Sequence, residues 1–404
     1  MNENLIAPTQ PGERINEIDI VRGLALLGIL MVNMLFFNYP VFFDRSPTSF
    51  PAGLDQVGAW FIQLIFTGKF YAIFSFLFGL GFFIFMERTL QKGLDLVPLY
   101  RRRLFALLAF GFIHLFIIWS GDILFTYAII GFILLKFRDK PVPSVRKWII
   151  GLFITATILN FIFGLINGAG EYFSGEKYLL IMQEMIEGAI SVYLHGSFLQ
   201  LLSFRLINEV PYALIGLIIW IPAVLAFFLC GLYAGKKGIF KDIPGHLPLL
   251  RKIRNIGLPL GGLFLLIYIL VESGFWPVST LLRPALLSAS NYIASIFIFP
   301  AYVSIVLIAL QKDFWKRLLS PVAAAGRMAL TNYLTQTLIC IFLFYGFGFG
   351  FYAGVSVGQG IVLTLIIYLV QLFWSNLWFK KFRYGPMEWF WRMLTYRKKE
   401  KFLI

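Results

Sequence analysis

Three groups of polar side chains interrupt the long apolar runs of this chain. His114 is the one histidine inside an apolar run, and Asp122 follows it in a Ser120-Gly121-Asp122 turn. Imidazole is a base near neutral pH, and a carboxylate is the partner that orients it. On a straight helix the two stand about 12 Å apart along the axis, at ~1.5 Å per residue, so direct pairing needs a bend or another span. Lys69 belongs to the same outer half of the chain. The plainer readings are an interhelical hydrogen bond for His114 and a capping role for Asp122, whose carboxylate can accept N–H groups of the next helix. His195, in a polar outer segment, is the alternative base, whereas His246 reads as an ordinary loop residue.

The second group is Asp19, Arg22 and Asn33. Asp19 and Arg22 are three residues apart and share a helix face. Asn33 stands about 16 Å further along the axis at ~1.5 Å per residue. The third group lies in AGRMALTNYLTQT, residues 325–337, where Arg327, Thr331 and Thr335 recur at four-residue steps beside a stripe of Asn332 and Gln336. A guanidinium binds phosphate in a fork geometry, and an amide can donate to a developing oxyanion. The alternatives are an interfacial ion pair for Asp19 and Arg22 and helix-to-helix hydrogen bonds for Thr, Asn and Gln. Arg327 fits that plain account less well, because a charge at the bilayer centre costs at least ~2.5–3.5 kcal/mol and needs an acid, a carbonyl or water.

The elements that carry these groups must be membrane helices. Of 404 residues 59% are hydrophobic and 14% charged, against about a quarter charged in a soluble domain. Apolar runs of spanning length mark ten expected spans, at 19–39, within 58–86, and at 104–119, 123–137, 148–166, 211–234, 256–271, 291–310, 322–347 and 360–379. The expected architecture is an all-α polytopic bundle with both termini in the cytoplasm. With the N-terminus inside, 28 of the 35 Lys and Arg fall on cytoplasmic segments, four on outer ones, and Arg22, Lys69 and Arg327 within or at the ends of spans. Such a split is the positive-inside pattern. The net charge of +15 therefore faces anionic lipid and requires no nucleic acid.

Two stretches depart from simple spans. Residues 58–86 are long for one helix and are divided at Gly68-Lys69, so 58–67 is expected to lie in the outer interface or to re-enter. Residues 168–209 mix acids with apolar residues, as amphipathic helices on the outer surface or a lid over an outer site would. The expected organisation is a cytoplasmic N-terminus (1–17), an N-terminal membrane half (18–234), a C-terminal half (235–379) and a basic tail (380–404). No cleavage site follows the first apolar run. Cys230 and Cys340 form no disulfide or zinc pattern. A Walker A loop, a dinucleotide fingerprint and HExxH are absent, as are an intramembrane acidic relay and a ladder of arginines; no metal is expected.

RINEIDIVRGLALLGILMVN (14–33), GKFYAIFSFLFGLG (68–81), GDILFTYAIIG (121–131), AGRMALTNYLTQT (325–337) and GPMEWFWRMLTY (385–396) occur in the order of the YeiB-like family, which the chain resembles over nearly its whole length. These are bacterial membrane proteins whose C-terminal half is a domain of unknown function, so the resemblance implies a multi-pass cell-membrane location. Asp19, Arg22, Gly23, Val32 and Asn33 also resemble the start of a wider group of transmembrane acyltransferases that includes the heparan-alpha-glucosaminide N-acetyltransferase family. That resemblance implies acyl transfer from cytoplasmic acyl-CoA to an acceptor at the outer face or in the membrane. One feature departs: the acetyltransferases carry a histidine in the loop after the first span, and residues 38–57 here hold none.

Three functions stay open at this level. In an acyltransferase, Asp19, Arg22, Lys69, Arg327, Asn332 and Gln336 would hold the donor, with acyl-CoA as substrate and no resident cofactor. His114 or His195, helped by Asp122, would be the base, and Asn33 the oxyanion donor. In a transporter of a small solute or lipid, the inner and outer groups would be two ends of one path. The third reading is a lipid-binding or sensor protein without chemistry. Membrane lipids are the expected partners, and a homodimer is left open.

Overall fold

A computed structural model describes residues 15–41, 43–398 and 401–403. Every regular element among them is a helix, apart from one isolated bridge between Phe382 and Leu403. In chain order these are α1 (Asn16–Asn38), α2 (Leu54–Phe61), α3 (Lys69–Gln91), α4 (Leu96–Phe112), α5 (Leu124–Leu134), α6 (Val142–Ser174), α7 (Glu176–His195) and α8 (Phe198–Phe204). They continue with α9 (Val210–Lys236), α10 (Leu247–Glu272), α11 (Arg283–Ala309), α12 (Asp313–Arg327), α13 (Ala329–Phe344), α14 (Val357–Trp378) and α15 (Pro386–Tyr396).

Among the described residues seven stretches are long and apolar enough to cross a membrane: α1, the runs holding α2–α3 and α8–α9, α6, α10, α11 and α14. Of the other three expected spans, 104–119 falls on α4 and the residues after it, 123–137 on α5, and 322–347 on parts of α12 and α13. The outward faces are those of a protein solvated by lipid. On α6, Ile150, Ile154, Ile158, Ile162 and Ile166 recur every four residues, and all are exposed. One helix face of bare aliphatic side chains would aggregate in water, whereas hydrocarbon solvates it.

The basic segments gather at one end of the bundle. Lys241 pairs with Glu87. Lys236 Nζ donates to the carbonyls of Arg138 and Lys140 at 2.8 and 2.9 Å, and the Trp391 indole donates to the Arg103 carbonyl at 2.8 Å. The start of α1 lies at that end too, beside α12, so the charge bias sets it in the cytoplasm. Arg14 and Lys399, counted with the cytoplasmic cations, lie outside the described residues.

Three local readings of the sequence are refined. Residues 58–67 form α2 and a π-helical turn, Ile62–Phe66, and Gly68 breaks the chain before α3 with a φ of +87° that suits glycine. The outer stretch 168–209 is helical nearly throughout, since α6 runs on to Ser174 and is followed by α7, α8 and a π turn at Arg205–Glu209. The expected span 322–347 is not one helix. It breaks at Met328, between α12 and α13, so the stripe from Arg327 to Thr335 is interrupted after its first member. The break lets α12, which carries Asp313, Lys316 and Arg317, pack along the start of α1 instead of entering lipid. Contact there is backbone to backbone, and a Cβ on Gly326 would lie 1.9 Å from the Asp19 carbonyl oxygen.

Candidate functional site

α4 does not continue straight to its turn. It passes into a π-helical segment, Ile113–Ile118, and Trp119 is extended, with its N–H bonded to the His114 carbonyl at 2.6 Å. A π segment makes i→i+5 bonds and shifts side chains off the α register. The chain then folds back so that His114 Nδ1 lies 2.8 Å from Asp122 Oδ1. The straight-helix separation of the sequence reading is thus closed by the bend. Asp122 Oδ2 accepts the Phe125 N–H at 2.6 Å, so the carboxylate caps α5 and holds the imidazole at once. His114 Nε2 is 3.0 Å from Thr337 Oγ1 on α13. With the carboxylate as acceptor the proton sits on Nδ1, and in that tautomer of the neutral ring Nε2 accepts from the threonine hydroxyl. Both members of the pair are buried, with side-chain exposures of 1% and 0%.

The hairpin is also held from the outer side. Arg205 donates to the carbonyls of Ile117 and Ile118, the end of the π segment. Glu209 accepts from Ser120 at 2.5 Å and from Tyr193 of α7 at 2.8 Å. The outer helices are therefore tied to the segment that carries His114. Nearby, Arg45 donates to the carbonyls of Tyr39 and Phe43 at 3.0 Å each, and burial pulls its guanidinium down to about 10.

On the cytoplasmic side a cavity of about 660 Å³ opens between α1, α3, α4, α13 and α15. Along α3 its wall runs from Phe74 to Lys92, about 27 Å of helix at ~1.5 Å per residue. Among the described residues six cations line it: Arg22, Arg88, Lys92, Arg103, Arg327 and Arg392. The acids among the described lining residues are Asp19 and Glu388. Asp19 pairs with Arg22 at 2.8 Å. Glu388 is spent on the start of α13, accepting from Leu330 N–H, Thr331 N–H and Thr331 Oγ1 at 2.7, 3.1 and 2.6 Å. Burial pushes the Glu388 carboxyl above the usual glutamate range, and the bonds from Thr331 oppose that shift. Arg327 lies 3.8 Å over the Phe379 ring and Arg103 3.6 Å over Trp391. Neither forms an ion pair among the described residues.

The inner end of the cavity is apolar and aromatic, with Ile29, Leu107, Ile123, Leu124, Tyr127 and Tyr333. The Tyr127 hydroxyl bonds to Ser75 at 2.6 Å. The Tyr333 ring is 5.4 Å, centroid to centroid, from the His114 ring. His114 and Asp122 thus stand immediately behind the wall that closes the pocket.

Of the residues singled out in the sequence, the fold brings Asp19, Arg22 and Arg327 to the pocket and His114 to Asp122. It places the others elsewhere. Lys69 is fully buried and donates to Asn291 and to the Gln63 carbonyl at 3.0 and 3.2 Å, without contact to the histidine pair. Asn332 bonds to Ser375 and to the Ala325 carbonyl, both at 3.1 Å. Gln336 bonds to Gln371 at 2.8 Å. These two face α14 and act as interhelical glue, because the α13 face on the pocket is that of Ala329, Leu330 and Tyr333. Asn33 is half-buried one turn beyond Ile29, lines no part of the pocket and has no side-chain hydrogen bond among the described residues. His195 is exposed at the end of α7, and the His246 ring bonds to the Asp242 carbonyl at 2.7 Å. Sequence reasoning missed Arg103, Tyr333, Thr337 and Glu388. Thr337 and Tyr333 were legible only as members of a polar stretch, four apart and so on one helix face.

A family model described as a protein of unknown function (DUF418) matches residues 234–398. Uncharacterized protein YxaH of Bacillus subtilis (strain 168) is 33% identical, over 97% of this chain and 96% of the relative. Uncharacterized protein YeiB of Escherichia coli (strain K12) is 30% identical, over 95% of this chain and 97% of the relative. The chain belongs to the YeiB-like DUF418 family. A Bacillus acidopullulyticus relative, an uncharacterized 39.9 kDa protein in the amylase 3′ region, is 30% identical over 98% of both chains. In this DUF418 chain the pocket straddles the matched segment. Arg327, Tyr333 and Glu388 come from within it, and Arg22, Arg103 and the His114–Asp122 pair from the N-terminal half.

Proposed function

We propose that this membrane protein is an acyltransferase that takes acyl-CoA from the cytoplasm. One observation carries the reading: a cation-rich cytoplasmic pocket ends against a buried His114–Asp122 pair. Guanidinium groups stacked on Trp391 and Phe379, without an ion pair among the described residues, suit phosphate oxygens. The apolar inner end suits the acyl group. His114 Nε2 takes the proton of an acceptor hydroxyl or amine, in the position that the Thr337 hydroxyl now occupies. The acceptor oxygen or nitrogen bonds to the thioester carbonyl carbon, the C–S bond breaks, and the proton passes from His114 to the departing thiolate. Asp122 holds the tautomer that this requires.

The test is binding of acetyl-CoA to the purified protein in lipid nanodiscs. Hydrogen bonds to charged groups contribute ~1.5–3 kcal/mol, so Arg22→Ala and Arg327→Ala are each expected to weaken binding by roughly 10- to 100-fold. Affinity should also fall with rising salt. No binding by the parent, or binding indifferent to both substitutions, overturns the reading. Solute flux in proteoliposomes without acyl-CoA affinity would favour transport instead.

A further inference from the structure

Among the described residues five buried side-chain nitrogen or oxygen atoms have no hydrogen-bond partner, and two of them belong to residues that line this pocket. One is Arg327 Nε, on the cytoplasmic side; the other is the hydroxyl of Tyr333, a residue that lines the inner end while the hydroxyl itself is enclosed. Tyr333 is 4% exposed. The Ile123 backbone lies beside it, outside hydrogen-bond geometry, and the Asp122 carboxyl and Tyr127 are also near. A buried hydroxyl left unpaired is disfavoured, and native proteins retain one where a ligand or catalysis uses it. Tyr127, which shares the inner wall, differs, since its hydroxyl is satisfied by Ser75.

From this we infer that the Tyr333 hydroxyl is the hydrogen-bond donor to the acyl carbonyl oxygen of the thioester bound in the pocket. The inference rests on the acyl-CoA reading and assigns the oxyanion-binding role to Tyr333 in place of Asn33, which lines no part of the pocket. Position supports it. Tyr333 lies between the cavity and the imidazole, with ring centroids 5.4 Å apart. A small side-chain shift of Tyr333 on binding would bring its hydroxyl to a carbonyl held there, with the base directly behind. Thr337, one turn further along the same face of α13, fixes the imidazole. Donor and base positions are thus set by a single helix.

The probes are acetyl-CoA and S-ethyl-CoA, a thioether of the same size that lacks the carbonyl. Nanodisc-embedded parent should bind acetyl-CoA several-fold more tightly, in keeping with ~0.5–1.5 kcal/mol for a neutral hydrogen bond. Tyr333→Phe should bind the two equally, with S-ethyl-CoA affinity unchanged. Its melting temperature should not fall, because the hydroxyl has no partner to lose. Equal affinities in the parent, or a preference that persists in Tyr333→Phe, overturn the inference and leave the acyl-CoA reading standing. A parent that binds neither probe removes both. Should the variant fold poorly, equal affinities for the two probes in the parent still overturn the inference.

Discussion

Replacing Asp122 separates its chemical role from its structural one. The carboxylate makes two bonds, one from each oxygen, to His114 Nδ1 at 2.8 Å and Phe125 N–H at 2.6 Å. In Asp122→Ala both donors lose their acceptor in a buried site. At ~1.5–3 kcal/mol for each hydrogen bond to a charged group, the loss is about 3–6 kcal/mol. Asp122→Asn has a way out. Its carbonyl oxygen can keep the Phe125 cap while its NH2 donates to Nδ1, provided the imidazole moves its proton to Nε2. Thr337 Oγ1 can then accept, and donate in turn to the Tyr333 carbonyl, 3.4 Å away. All the hydrogen bonds survive, so the cost should be about 1 kcal/mol or less. The base does not survive, because Nε2 now carries a proton. A wrong histidine tautomer of this kind costs about 10⁴-fold in kcat in serine proteases. Thermal unfolding in detergent, together with thiol release from acetyl-CoA in proteoliposomes of a total bacterial lipid extract, reads both quantities. The expected pattern is a near-parental melting point and abolished turnover in Asp122→Asn, with a large melting-point loss only in Asp122→Ala. Asp122→Asn that melts as early as Asp122→Ala refutes the tautomer argument. Asp122→Asn that keeps parental turnover refutes the base.

Two further predictions concern the pocket walls. Gly326→Ala drives a Cβ to within 1.9 Å of the Asp19 carbonyl oxygen, where only backbone can yield. Overpacking of this kind costs ~1–3 kcal/mol, so α12 should separate from α1 with loss of melting temperature and of acetyl-CoA binding. Gly262→Ala, whose Cβ meets nothing within 4 Å, is the control, and equal behaviour of the two would remove the close-contact account. For Glu388, burial raises the carboxyl in the folded state. The native protein therefore holds that proton more readily than the unfolded chain. Its contribution should grow as pH falls through the folded value, level off below the ordinary glutamate value, and be lost as pH rises. Hydrogen exchange of residues 386–396, corrected for intrinsic rates, should show α15 better protected at pH 5 than at pH 7 in the parent and equally protected at both in Glu388→Gln. A matching pH dependence in Glu388→Gln would assign the effect to another group.

Much of the site was legible as residue types but not as partners. Arg22, Arg327, His114 and Asp122 stand out because polar groups in apolar runs are costly to insert. Asn332 and Gln336 stand out for the same reason, yet they bond to α14. A linear pattern marks a helix as polar without saying which neighbour the polar face meets. Arg103 was hidden in the other direction, as one of three consecutive arginines, until α15 stacked Trp391 on it. Glu388 was hidden in a short amphipathic helix near the C-terminus until it capped α13.

The sequence by itself determined that this is an all-α membrane protein and which end of the bundle faces the cytoplasm. Those properties follow from transfer free energies and loop charges, which accumulate residue by residue along the chain. Tertiary structure decided that His114 reaches Asp122, because a π-helical turn and an extended Trp119 replaced the straight helix on which they stand apart. It also decided that the polar run of span nine divides at Met328, leaving Arg327 and Tyr333 on the pocket and Asn332 and Gln336 away from it. Both outcomes depend on how helices pack against one another and where their backbones deform, and hydropathy carries no record of either.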